Sequence, residues 1–133
     1  MRVRSLVPIF RSFDEAKARE FYVDFLGFRV EFEHRFDPGA PLYLGLSLGG
    51  FELHVSEHFG DATPGSTARI EIDAVGEFCE RLNAKAYTYA RPGVQRQSWG
   101  YDEMAIDDPF GNRLIFCTNW DSGAETEQVE EEK

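Results

Sequence analysis

The chain has 133 residues, 42% of them hydrophobic with 12 Phe, which suits one packed domain of roughly 100–150 residues and leaves no room for a second. Its two cysteines, Cys79 and Cys117, form no CxxC pair, which excludes zinc ribbons and disulfide scaffolds, and no apolar run approaches the roughly 18 residues of a membrane span. A net charge of −10 without a basic stripe argues against nucleic acid and mildly favours a cationic ligand, while a start without signal-peptide character makes the cytoplasm the expected address.

In chain order, LVPIF at Leu6–Phe10 reads as a strand. Asp14 then offers a helix cap, with Glu15 in the first turn to suit the helix dipole. Ala18, Phe21, Tyr22 and Phe25 follow at i, i+3, i+4 and i+7, one apolar stripe of an amphipathic helix, and Gly27 is placed to end it. Phe28–Phe36, Leu42–Leu48 and Phe51–Ser56 read as three strands, the last two joined by the tight-turn pair Gly49-Gly50. A second pass opens at Thr67, where TARIEID puts Ala68, Ile70 and Ile72 on one face and Arg69 and Glu71 on the other. Asp73 is the expected cap of a helix with the stripe Val75, Phe78, Cys79 and Leu82. Strands are expected at Ala86–Ala90, Asp102–Ile106 and Arg113–Thr118, with DPFGN (Asp108–Asn112) as the turn between the last two.

Strand, helix and three strands thus occur twice, about 60 residues apart. The expected fold is α+β: paired βαβββ modules over about 3–60 and 66–119, forming two curled mixed sheets with helices outside. Together they make one domain over 1–120. The remainder, 121–133, holds six acids and one lysine and is expected to be a disordered acidic tail. Curled sheets leave a concave surface, the usual setting of a small-molecule site.

Chemistry-bearing residues are few. His54-Val55-Ser56-Glu57-His58 spells H-x-x-E-H, but its surroundings predict a strand and loop. That places the two histidines about 13 Å apart, too far to share one metal as the helical motif requires. No serine sits in a nucleophile elbow, and Cys79 and Cys117 fall in apolar segments, where thiols act as core residues. Trp99, in the polar loop RQSWGYDE, is either a loop anchor or a stacking wall for a planar or cationic ligand. Phe32 and Phe36, with His34 between them, line either the core or a cleft. Arg69 and Glu71 either read a ligand or are simply solvated.

The strings LVPIF, DEAKAREFYVDFLGF, EHRFDPGAPLY, LHVSEHFGD, RPGVQRQSWG and DPFGNRLIF together resemble the bleomycin-resistance branch of the glyoxalase, or vicinal-oxygen-chelate, superfamily. The resemblance spans Val3 to about Asn119 and implies paired βαβββ units and a homodimer, usually domain-swapped, with clefts at the subunit interface that hold bleomycin-type glycopeptides unaltered. The superfamily's usual metal-ligand positions map onto Pro8, Arg69 and Ile115, none of which offers a suitable ligand atom, so neither metal nor other cofactor is expected. Carried onto this chain, the ligand-binding residues are Phe32, Phe36, His54, Ser56, Arg69, Glu71 and Trp99. The reading is a binding protein that sequesters bleomycin or another planar or cationic small molecule; the alternative is a metal-dependent lyase, isomerase or dioxygenase with a displaced site at His54.

Overall fold

A computed structural model of the chain describes residues 1–121, so the acidic tail expected over 121–133 lies, beyond Asp121, outside the described residues. The chain divides into two units. The first is Met1–Ser66 together with the turn Asp108–Asn112; the second holds the rest from Thr67 onward.

In the first unit the elements are β1 (Ile9–Arg11), α1 (Glu15–Ala18), a π-helical continuation over Arg19–Phe25, β2 (Arg29–His34), β3 (Tyr43–Leu48) and β4 (Phe51–Ser56). The sheet order is β1-β4-β3-β2, with β1 and β4 parallel and the other pairs antiparallel. The Asp14 side chain caps α1 by accepting from the Lys17 N–H, and Gly27, at φ 95°, stands just past the helical end at Leu26. Ala18, Phe21, Tyr22 and Phe25 are all buried, as their spacing predicts. What the spacing misses is the wider winding after Ala18, where the Leu26 N–H reaches back five residues to the Phe21 carbonyl.

The helical stripe supplies one half of the core and the sheet's inner residues, Phe10, Leu44, Leu46, Leu53 and Val55, the other. Edge-to-face ring pairs knit the core around Tyr22, 4.8 Å from Phe21 and 5.7 Å from Phe28. The Tyr22 hydroxyl donates to Asp108 over 2.6 Å, and burial pushes the phenol well above its ordinary pKa. The Asp108 carboxylate also accepts from the N–H groups of Phe110 and Asn112 and from the Asn112 side chain, so the DPFGN turn is closed by one buried acid. The turn at Gly49-Gly50 uses backbone freedom instead, with φ of 56° and 99°.

In the second unit the order recurs: β5 (Thr67–Glu71), α2 (Val75–Ala84), β6 (Gln95–Arg96), β7 (Tyr101–Asp107) and β8 (Arg113–Asn119). The sheet runs β5-β8-β7-β6, with β5 and β8 parallel. Val75, Phe78, Cys79 and Leu82 bury one face of α2 against Met104, Ile106, Leu114 and Phe116, and the Phe78 and Phe116 rings meet edge to face at 5.0 Å. Burial pushes the pKa of both cysteine thiols up; Cys79 lies on the buried face of α2, whereas Cys117, also buried, lies in the cross-strand row of Glu71 and Glu103.

Several expectations are corrected. The first strand is Ile9–Arg11 rather than Leu6–Phe10, and Leu6 is exposed. Asp73 does not cap α2: Ala74 takes the cap position, and the Val75 N–H donates to the Thr118 hydroxyl, which itself donates to the Ile72 carbonyl. Ala86–Ala90 is not a strand, because Ala86 leaves the helix in the left-handed region at φ 53°. The third strand of the unit comes later, at Gln95–Arg96, where β7 provides a pairing edge. β2 ends at His34, so Phe36 lies in the following loop.

Candidate functional site

Strand parity gives each sheet a face turned away from its helix, and these faces carry the chain's polar and aromatic chemistry. In the first unit the register aligns Ile9, His54, Gly45 and Phe32 in one row, and Arg11, Ser56, Tyr43 and His34 in the next. Phe32 lies across Gly45, where an added Cβ would stand 2.2 Å from the ring. Only glycine permits that ring to lie flat on the strand.

Tyr43 stacks alongside Phe32, with centroids 6.2 Å apart and planes 11° from parallel, while the His54 ring meets both edge-on at 5.3 and 5.2 Å. His54 is held at both nitrogens: the Tyr43 hydroxyl lies 2.7 Å from Nδ1, and the Glu52 carboxylate lies 3.3 Å from Nε2. A neutral imidazole protonated at Nε2 satisfies both bonds at once. Burial, with help from the charges of Asp61 and Glu52, pushes the Tyr43 phenol up, so it is a donor at neutral pH. The result is a shelf of three fixed rings, with Phe32 42% exposed.

Two residues along the same face, an open groove of about 710 Å³ is lined by Ser47, Glu52, Arg29 and Glu31 and walled by Arg4–Val7. There the Ser47 hydroxyl donates to Glu31 and holds its carboxyl below the usual carboxylate range.

In the second unit the corresponding face aligns Arg69 with Ile115 and Ala105, and Glu71 with Cys117 and Glu103. Arg69 Nη1 lies 2.7 Å from Glu103 Oε2, and its guanidinium carbon sits 4.9 Å from the centre of the Tyr101 ring. The same Glu103 oxygen accepts from Trp99 Nε1 over 2.9 Å, and the Tyr101 hydroxyl donates to Glu71 over 3.3 Å. The hydrogen bond to Glu103 raises the Arg69 pKa further, so the guanidinium stays charged.

Of the sequence-predicted ligand residues, the structure brings Phe32 and His54 together on one face, and Arg69, Glu71 and Trp99 on the other. Phe36 is 76% exposed and packs its ring edge-on against His34 and His58, away from the shelf trio. Ser56 is fully buried; its hydroxyl donates to Asp61 and accepts from the His58 N–H, so it fastens the loop after β4. The H-x-x-E-H string runs along β4 and out of its end, not along a helix. Pro8 lies one residue before β1 on the parity of buried Phe10, so Ile9 takes the open-face place beside His54. Among the described residues no three His, Cys, Asp or Glu gather as a metal site would require. Sequence reasoning missed Tyr43, Gly45, Tyr101 and Glu103, each of which matters through its cross-strand neighbours. The signal for them is parity with His54 and with Arg69, legible only once the register is known.

A family model described as a glyoxalase superfamily protein matches residues 1–123. The chain belongs to the glyoxalase superfamily. No curated protein matches its sequence. Among solved structures, this glyoxalase-superfamily chain is similar to the bleomycin-binding protein of bleomycin-producing Streptomyces verticillus, solved with copper(II)-bleomycin. The two are 28% identical with a TM-score of 0.63 over 87% of this chain and 96% of that one. A bleomycin resistance determinant encoded on the transposon Tn5 is 22% identical, with a TM-score of 0.69 over 88% and 98% of the two chains. A glyoxalase-related enzyme from Clostridium phytofermentans has the same TM-score at 17% identity, covering 90% and 97%. The latter two likenesses establish the fold: two four-stranded mixed sheets of the glyoxalase and bleomycin-resistance type, neither of them closed.

Proposed function

We propose that this chain is a binding protein of the bleomycin-resistance type. It sequesters bleomycin or another planar, cationic small molecule without altering it, acting in the cytoplasm as a homodimer with its ligand in a cleft at the subunit interface. The observation that carries the reading is the shelf on the first unit: Phe32 laid over Gly45 and stacked alongside Tyr43, with His54 fixed edge-on. A rigid aromatic surface, part-exposed and already ordered, binds a flat ring system at little conformational cost. The excess of acid over base, 24 to 14, favours a cationic partner. The likeness to a protein solved with copper(II)-bleomycin supports the ligand class.

Binding without turnover fits the chemistry of the residues present. Both nitrogens of His54 are engaged by Tyr43 and Glu52, and the face of β5 presents the cationic Arg69 opposite apolar Ile115. No described helix is long and apolar enough to cross a membrane. Val3 and Leu6, exposed before β1, support a second chain covering that segment.

The test is to incubate the purified protein with bleomycin and analyse both partners. The reading predicts saturable binding of one ligand per chain, and recovery of the drug at unchanged mass. A new product mass, or stoichiometric zinc, manganese or iron required for binding, would overturn it in favour of a metal-dependent enzyme.

A further inference from the structure

The open face of the second unit holds a guanidinium group of the chain's own. Arg69 is placed as a bound cation would be, in charge contact with Glu103 and over the Tyr101 ring at 4.9 Å. The indole N–H of Trp99 donates to the same Glu103 oxygen and so helps to fix the carboxylate. Glu103 is nearly covered, its side chain 11% exposed, whereas the Arg69 side chain is 44% exposed. A fixed, covered anion beside two aromatic rings has the make-up that holds a cation, and the residue placed there stands at the solvent edge.

We infer that Tyr101, Glu103 and Trp99 form a subsite for a guanidinium or amine group, and that Arg69 is its tethered occupant, so that a ligand cation enters only by displacing Arg69. A group tethered by a few bonds competes at an effective concentration of about millimolar or higher. Arg69 therefore acts as a filter: cations that bind this subsite weakly are excluded, and removal of Arg69 opens it. Displacement costs little structure, since the Arg69 side chain is 44% exposed and its guanidinium can turn into water while the incoming cation takes its place on Glu103. Glu71, which accepts from the Tyr101 hydroxyl, holds the ring in place beneath the cation.

The inference rests on reading this face as a ligand surface, and its probe is methylguanidinium, so the result is independent of whether bleomycin binds. Wild type, Arg69→Ala and Arg69→Met are titrated at constant ionic strength with potassium chloride as the control, following tryptophan fluorescence, with Trp99→Phe in each background to assign the signal. The expected result is saturable binding to both Arg69 variants, at least about tenfold tighter than to wild type. That binding is lost when Glu103→Gln is added. If folded Arg69→Ala or Arg69→Met gives no saturable response, if wild type binds equally well, or if the response survives Glu103→Gln, the subsite does not exist. Arg69→Met keeps much of the apolar stem, so a packing defect in the alanine variant leaves the test intact.

Discussion

The two units repeat one order of elements and one parallel pairing, β1 with β4 and β5 with β8, yet their open faces carry different chemistry. On the first, a glycine in the middle strand lets an aromatic ring lie down, and the polar groups around it serve to hold rings still. On the second, the strand that opens the unit places a guanidinium against a carboxylate, and the aromatic residues act as its neighbours. One backbone plan therefore supports a stacking surface in one copy and an ion-pairing surface in the other. The main difference in kind lies on the face away from the helix; the inner faces are mostly apolar in both, because each must cover a helix, although the second also buries Asp102 and Thr118 at one end.

The largest expected effect breaks the first unit. Asp108→Ala removes one buried carboxylate that accepts from the Tyr22 hydroxyl, two backbone N–H groups and the Asn112 amide. Stranding those donors is expected to cost about 3–5 kcal/mol in urea denaturation. The Gly49-Gly50 turn carries no such acid, so Gly50→Ala is expected to cost only about 1–2 kcal/mol, through its positive φ.

Gly45→Ala sharpens the comparison by attacking the shelf alone. The new methyl group lifts Phe32 off the strand, for an expected stability loss of about 1–3 kcal/mol and at least about a tenfold loss of ligand affinity. Tyr43→Phe is milder: without its hydroxyl, His54 Nδ1 loses a partner, at about 0.5–1.5 kcal/mol. Its effect on affinity is expected to be smaller than that of Gly45→Ala, because the ring remains.

Alkaline pH gives a further contrast. The Tyr22 phenol has a folded-state pKa raised well above the ordinary value of 10.0 by burial and by the Asp108 charge, so it keeps its proton when the unfolded chain gives it up. The stability it contributes is fully present below about pH 10 and is lost as pH rises beyond that. Denaturation midpoints measured from pH 8 to 11 are expected to fall more steeply in wild type than in Tyr22→Phe. The smallest effect belongs to the second face: Glu103→Gln is expected to change stability by no more than about 1 kcal/mol, as suits a part-exposed ion pair, while shifting the Trp99 emission.

Local signals in the sequence carried most of the fold. Asp14 and Gly27 bracket the first helix, the i, i+3, i+4 and i+7 stripes name the buried helical residues, and the alternation in TARIEID puts Arg69 and Glu71 on the open face. Where the prediction failed, a partner outside the segment, or a local left-handed turn at Ala86, decided the outcome. Thr118 does the capping expected of Asp73, and β7 places the edge strand at Gln95–Arg96 although Ala86–Ala90 alternates better. The sites follow the same division. Phe32, His54 and Trp99 stand out as candidates by residue type, whereas Gly45, Tyr43, Tyr101 and Glu103 become their neighbours only through cross-strand register and ring contact, which a linear string does not contain.

The most direct test of the stacking reading is a calorimetric titration with bleomycin of wild type and Phe32→Ala side by side, each first shown to be folded by circular dichroism. A saturable isotherm in wild type that weakens at least about tenfold in Phe32→Ala is the predicted result. Equal isotherms for the two proteins, or no heat from wild type up to about millimolar drug, would contradict it.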